Sequence, residues 1–112
     1  MDEILKQSLL YDFYGELLTE HQKEIYEQFI VEDLSLSEIA KDAGISRQGV
    51  HDLIKRCNKI LEEYEEKLHL VERFLSVKEK VHKMNELLSG AQEESELIQA
   101  IREISGEIIE EL

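Results

Sequence analysis

Between Ser46 and Arg56 the chain sets out six side chains that can recognise a charged or hydrogen-bonding surface: Arg47, Gln48, His51, Asp52, Lys55 and Arg56. On a helix they fall along one polar face. Arg47 has the paired N–H donors that match guanine, and Gln48 has the donor and acceptor that match adenine. Lys55 and Arg56 suit phosphate oxygens, which position a reader without carrying sequence information. The plainer reading of this face is a solvated polar surface. Its cations are few, whereas proteins that hold DNA well at physiological salt neutralise about 6–10 phosphates.

Other groups with chemical capacity are weaker. Glu66 with His69, and Glu79 with His82, have the spacing of a carboxylate–histidine metal pair. Di-iron bundles use two such pairs on different helices, with further inward glutamates. Both pairs here fall in one expected helix and, at ~100° per residue, point to different sides. Surface residues on a charged helix are the better reading. Arg73, Lys78, Lys80 and Lys83 cluster, but Glu72 and Glu79 are interleaved among them, the pattern of a solvated face. Cys57 is the single cysteine. It has no partner for an internal disulfide or a metal cluster, and reads as a small, partly buried filler. No nucleophile–base set and no glycine-rich phosphate loop can be assembled. A binding protein without a cofactor is therefore expected, rather than an enzyme.

The elements that must position the polar face are helices. The 112 residues include no proline and five glycines, and no hairpin dipeptide such as Asn-Gly, so long helices are the default. Ile4, Leu5, Leu9, Leu10, Phe13, Leu17 and Leu18 recur at helical spacing and give an apolar face to a first helix. Thr19 with Gln22 forms a capping box that opens a second helix, with Ile25, Tyr26, Phe29 and Ile30 inward. Ser35 with Glu38 is another capping box. It starts a short helix carrying Ile39, Ala40 and Ala43.

Gly44 then stops the chain where a positive φ is easily met only by glycine. Ser46 caps the next helix, with Val50 and Leu53 facing the short one and Ile39 and Ile45 closing a small core. Residues 36–55 thus read as a helix-turn-helix. In such a unit the second helix enters the major groove, with its N-terminal residues at the base edges. Gly49 is unusual in that helix, since it costs a helix interior roughly 1 kcal/mol. It reads as room for a ligand or as a tolerated change.

From Lys59 to Leu88 an uninterrupted helix is expected, with Ile60, Tyr64, Leu68, Val71, Phe74, Val77, Val81, Met84 and Leu88 in steps of three and four. Ser89-Gly90 marks a turn. A last helix from about Gln92 carries Leu97, Ile101, Ile104, Ile108 and Leu112. The domain reading is 1–58 for the helix-turn-helix domain and 59–112 for the long and C-terminal helices. The latter are longer than a small three-helix unit can bury. An antiparallel fold-back combined with a homodimer is expected.

The net charge is −13, and it is segregated. Residues 1–34 hold nine acids and two bases (−7), and residues 35–58 three acids and four bases (+1). Residues 59–89 hold seven and six (−1), and residues 90–112 seven and one (−6). Nucleic-acid binders usually carry a basic face, so the near-neutral middle is the candidate surface. The acidic start and the absence of a long apolar run give a cytoplasmic expectation, without membrane insertion.

The stretch LTEHQKEIYEQFIVEDLSLSEIAKDAGISRQGVHDLIKR resembles the fourth conserved region of primary sigma factors. Leu18-Thr19-Glu20, Ser37-Glu38-Ile39-Ala40 and Gly44-Ile45-Ser46 carry that likeness. A sigma factor would also have a polymerase-binding region upstream, so a sigma factor is not expected. Nearly the whole chain is similar to the YlxM family of small bacterial helix-turn-helix proteins. The shared features are Leu10-Tyr11-Asp12-Phe13-Tyr14-Gly15, Leu17-Leu18-Thr19, Glu38-Ile39-Ala40, Ser46-Arg47-Gln48 and Ile54-Lys55-Arg56. The resemblance implies an all-α fold: a sigma-region-four-like helix-turn-helix bundle followed by a long helix and a C-terminal helix. It also implies a regulatory role in the signal recognition particle pathway. DNA, the particle's RNA, or its GTPase are the partners it leaves open. The GTPase would be met by an adaptor that docks through its acidic surfaces.

Overall fold

A computed structural model describes residues 2–89 and 94–111. Among them are six α-helices and no strand: α1 (Glu3–Tyr14), α2 (Glu20–Ile30), α3 (Leu36–Ala43), α4 (Arg47–Leu68), α5 (Leu70–Ser89) and α6 (Glu94–Glu111). A short 3₁₀ turn, Gly15–Leu17, follows α1. The fold is all-α, and the chain divides into two compact units, Met1–His69 and Leu70–Leu112. No described helix is long and apolar enough to cross a membrane.

In the first unit α4 is the element against which α1, α2 and α3 all pack. Its buried side chains are Val50, Ile54, Cys57 and Leu61, in steps of four, three and four. That spacing keeps them in one stripe, as helical geometry requires. Ile25, Tyr26, Ile39 and Ala40 meet the stripe from α2 and α3 as buried residues. The side of α1 turned inward is Leu10 and Tyr14, continued by Leu18. Ile4, Leu5, Phe13 and Leu17, expected on the same apolar face, are exposed instead. The apolar residues of α1 span more of its circumference than one packing side can cover, and Tyr14 takes the inner place. Ile45, expected in the core, is 39% exposed, because the turn carries it to the rim.

Two tyrosine hydroxyls fasten the outer helices to α4. Tyr14 Oη donates to Glu65 Oε1 at 2.5 Å, and Tyr26 Oη donates to Asn58 Oδ1 at 2.5 Å. The Tyr14 and Tyr64 rings stack with centroids 6.1 Å apart. Each tyrosine thus buries its ring while its polar tip finds a partner, which avoids the cost of an unsatisfied buried hydroxyl. Gly15 allows the turn after α1 to pass beneath the Tyr11 ring. A Cβ there would lie 2.8 Å from Tyr11 Cε1.

The helix starts follow the capping signals in the sequence. Thr19 Oγ1 accepts from the Gln22 amide and Gln22 Oε1 accepts from the Thr19 amide. Ser35 and Glu38 do the same. The Ser35 bonds also hold the Glu38 carboxyl below the usual carboxylate range. The helix expected to run unbroken from 59 to 88 is interrupted. α4 continues past position 58 to Leu68, and His69 ends it at φ 56°, with its amide bonded to Glu65 O at 2.8 Å. Histidine enters the left-handed region more readily than most residues, so the break needs neither glycine nor proline. α5 then starts afresh and packs on α6.

Gly44 adopts φ 70° and nothing lies within 4 Å of where its Cβ would be. Gly44→Ala therefore meets no clash, only backbone strain. The expected cost is about 1–2 kcal/mol, read as a lower midpoint in urea unfolding with an unchanged slope.

Candidate nucleic-acid interface

The motif is built from its caps. α3 ends at Ala43, the left-handed Gly44 returns its amide to Ala40 O at 3.0 Å, and Ile45 bonds the same carbonyl at 3.2 Å. Ser46 then opens α4, its Oγ accepting from the Gly49 amide at 2.9 Å. This accounts for Gly49. A Cβ there would stand 3.1 Å from Ser46 Oγ and touch Ile45. The glycine serves the cap, and no ligand is needed to explain it.

Arg47, Gln48, His51, Asp52, Lys55 and Arg56 are all exposed, on the first three turns of α4. At ~100° per residue they cover about half the helix circumference, with Arg47 and Arg56 at its two edges. Buried Val50, Ile54 and Cys57 hold the opposite side. Gln48 Nε2 donates to Asp52 Oδ1 at 2.9 Å, and His51 Nδ1 lies 3.7 Å from the same oxygen. Asp52 therefore orients Gln48 and stands beside His51. It also places a negative charge in their midst.

Because α4 does not end near 58, the face continues. Asp52, Lys55, Arg56, Asn58, Lys59 and Glu62 line a shallow groove of about 570 Å³. Lys59 is the functional candidate that sequence reading passed over. Its position, four after Lys55 and three after Arg56, puts all three cations on one side. A smaller hollow of about 240 Å³ is bordered by Gln7, Phe29, Leu36, His51, Ile54, Lys55 and Asn58.

The two carboxylate–histidine pairs fall in different units. Glu66 lies on α4 and His69 at its left-handed end, while Glu79 and His82 lie on α5. Among the described residues no group of three or more His, Cys, Asp or Glu side chains is placed to hold a metal ion.

A short helix, a left-handed glycine turn and a second helix with an exposed polar N-terminal face make this a helix-turn-helix protein. The chain belongs to the UPF0122 family, described as "Putative helix-turn-helix protein, YlxM / p13 like", whose profile matches residues 1–102. It is 44% identical over 112 residues to a UPF0122 protein of Thermoanaerobacter sp. (strain X514), covering 97% of this chain and 96% of the relative. To the UPF0122 protein YlxM of Bacillus subtilis (strain 168) it is 42% identical over 107 residues, covering 93% and 97%. A UPF0122 protein of Acetivibrio thermocellus is 40% identical over 116 residues, covering 98% and 99%.

Cys57 lies directly beneath this face and is fully buried. Burial pushes its thiol up to about 11, against a smaller opposing pull from Arg56. Burial likewise raises the Tyr26 hydroxyl. A raised folded-state pKa favours the protonated form, so this contribution to stability is intact at neutral pH. It is lost as pH climbs from the thiol's ordinary value of 9.0 through about 11. Unfolding measured against pH should show stability falling across that window, and Cys57→Ala should flatten part of the fall. Alkylation of native protein at pH 8 should be slow and should accelerate only in denaturant.

Proposed function

We propose that this chain is a nucleic-acid-binding regulatory protein that acts in the cytoplasm, in the signal recognition particle pathway. The observation that carries the binding role is the clustering of Arg47, Gln48, His51, Lys55 and Arg56 on the exposed first three turns of α4. The opposite side of the same turns is buried, so the face is held rigidly on the core. In this reading Arg47 and Gln48 meet base edges, and Lys55, Arg56 and Lys59 meet phosphates. The pathway rests on the family resemblance alone, and the ligand class it favours is the particle's RNA or a DNA duplex.

The test is fluorescence anisotropy with particle RNA and with duplex DNA across a salt series. Arg47→Ala should lose about 1–3 kcal/mol of sequence preference. Lys55→Ala should weaken binding to all sequences alike and reduce the salt slope by about one. Asp52→Asn should strengthen binding, since it removes the one acid among the readers. If all three variants bind as the parent does, this face is not the reader.

A second reading is favoured by the net charge of −13. Glu3, Asp12, Glu16, Glu20, Glu24 and Glu27 on the first two helices and the connecting turn are all exposed. Such a surface suits an adaptor docking on a basic protein such as the targeting GTPase. Charge steering of that kind acts mainly on the association rate. Glu94→Gln with Glu96→Gln should then slow association with the GTPase in the absence of RNA; Glu93, the third acid of that cluster, lies outside the described residues. An unchanged rate counts against this reading.

A further inference from the structure

The hollow of about 240 Å³ beside the polar face of α4 is built from all four helices of the first unit. α1 contributes Gln7, α2 Phe29 and α3 Leu36, and α4 contributes the rest. Ile54 belongs to the buried stripe of α4, and Lys55 to its exposed face. Counted round the helix from Arg47, Ile54 falls at about −20°, Asn58 at about +20°, His51 at about +40° and Lys55 at about +80°. The hollow therefore occupies the flank of α4 where the core gives way to the polar face. A polymer lying along that face passes its mouth.

Its walls combine three chemistries. Phe29 is half-buried, and its ring centroid lies 6.5 Å from that of Tyr26. Leu36 and Ile54 add aliphatic surface. Gln7 and Asn58 bring amides, which both donate and accept hydrogen bonds. Asn58 Oδ1 takes the Tyr26 hydroxyl, so its Nδ2 is the end left to donate to a ligand. The fully buried Tyr26 thus braces the aromatic wall and one amide together, and the hollow is formed before anything enters it. Lys55 stands exposed at the rim. An aromatic wall, amides and a cation at the edge complement a nucleotide: a flat ring with polar edge atoms, tethered to a phosphate.

Charge and size narrow the occupant. The chain carries −13, yet none of the described residues lining this hollow is acidic. The groove along Lys55 and Lys59 includes Asp52 and Glu62, and a hollow between α2 and α3 includes Glu24 and Asp42. Of these three, this one suits an anionic ligand by its lining. Its volume falls below the ~300 Å³ at which small-molecule pockets usually begin. It has room for one ring system, with sugar and phosphate left outside. A free nucleotide would stay mostly uncovered there, whereas a nucleotide within a strand is also held by the cations of the adjoining face.

We propose that this hollow takes one unpaired base of a folded RNA while the polar face of α4 holds the strand beside it; this rests on the nucleic-acid-binding role proposed above. Folded RNA displays splayed bases in bulges and loops, where proteins stack them on aromatic side chains. A fully paired duplex keeps its bases inside, and extruding one is costly. Phe29 meets the ring of the unpaired nucleotide, and Lys55 its phosphate.

The experiment is fluorescence anisotropy of the full chain with two RNA hairpins, identical except for a single unpaired purine in one stem, and with a fully paired DNA duplex. The parent should bind the bulged hairpin about ten- to a hundredfold tighter than the paired one, the range that one base on an aromatic wall supplies. Phe29→Leu keeps apolar volume and removes the ring; Gln7→Trp fills the hollow from α1. Each should abolish the preference for the bulge while leaving affinity for the paired hairpin unchanged. Lys55→Ala should weaken both hairpins. Circular dichroism checks that Phe29→Leu folds, and Gln7→Trp, which leaves the buried core untouched, answers the same question if it does not. A parent that binds both hairpins alike, or a preference that survives both variants, overturns the base site and leaves the α4 reader standing. A DNA duplex bound more tightly than the bulged hairpin also overturns it. If neither RNA nor DNA is bound, the underlying role fails and the base site with it.

Discussion

The first unit depends on one buried stripe, Val50, Ile54, Cys57 and Leu61, running down α4. Every other helix of that unit is fixed against it, and two tyrosine hydroxyls anchor α1 to Glu65 and α2 to Asn58 on its flanks. The consequence for function lies on the other side of the same helix. Side chains opposite a buried stripe cannot rotate away from solvent without breaking the core. The polar face from Arg47 to Arg56 is thus presented by the packing itself. Because α4 continues as a rigid rod beyond the motif, Lys59 joins the cations at its far end.

Charge is distributed to match. The two ends of the chain hold most of the acid, while residues 35–58 carry +1. A weakly cationic face on a strongly acidic molecule suits selective contact rather than general adhesion to phosphate, because nonspecific affinity grows with each neutralised phosphate. Asp52 sharpens this. It bonds Gln48 and stands beside His51, so it orders part of the candidate face while placing a negative charge on it.

Much of this was legible in the residues. Caps are local chemistry: a hydroxyl with a glutamine or glutamate three residues on announces its own helix start, as Thr19 and Ser35 do, and Ser46 caps α4 with its hydroxyl alone. The left-handed Gly44 was legible for the same reason. The six candidate side chains could be placed on one face because helical spacing alone decides it. What escaped was set by tertiary packing. α1 has apolar residues on too many sides for periodicity to pick Leu10 and Tyr14 over Phe13 and Leu17. His69 breaks the long helix without any of the residues that usually mark a break, and so Lys59 was assigned away from the face it extends. Gly49 reads in the sequence as room for a ligand or as a tolerated change, whereas Ser46 Oγ stands 3.1 Å from where its Cβ would be, a packing detail that spacing does not carry.

Amide chemical-shift mapping during titration with particle RNA, and separately with duplex DNA, locates the contact surface without assuming which residues form it. Shifts concentrated on Ser46–Arg56 and Lys59, fading as salt is raised, are expected of a reader built on α4. Shifts absent from those residues, or confined to the acidic α1 and α2, would contradict that assignment and leave the helix-turn-helix as a scaffold for protein contact.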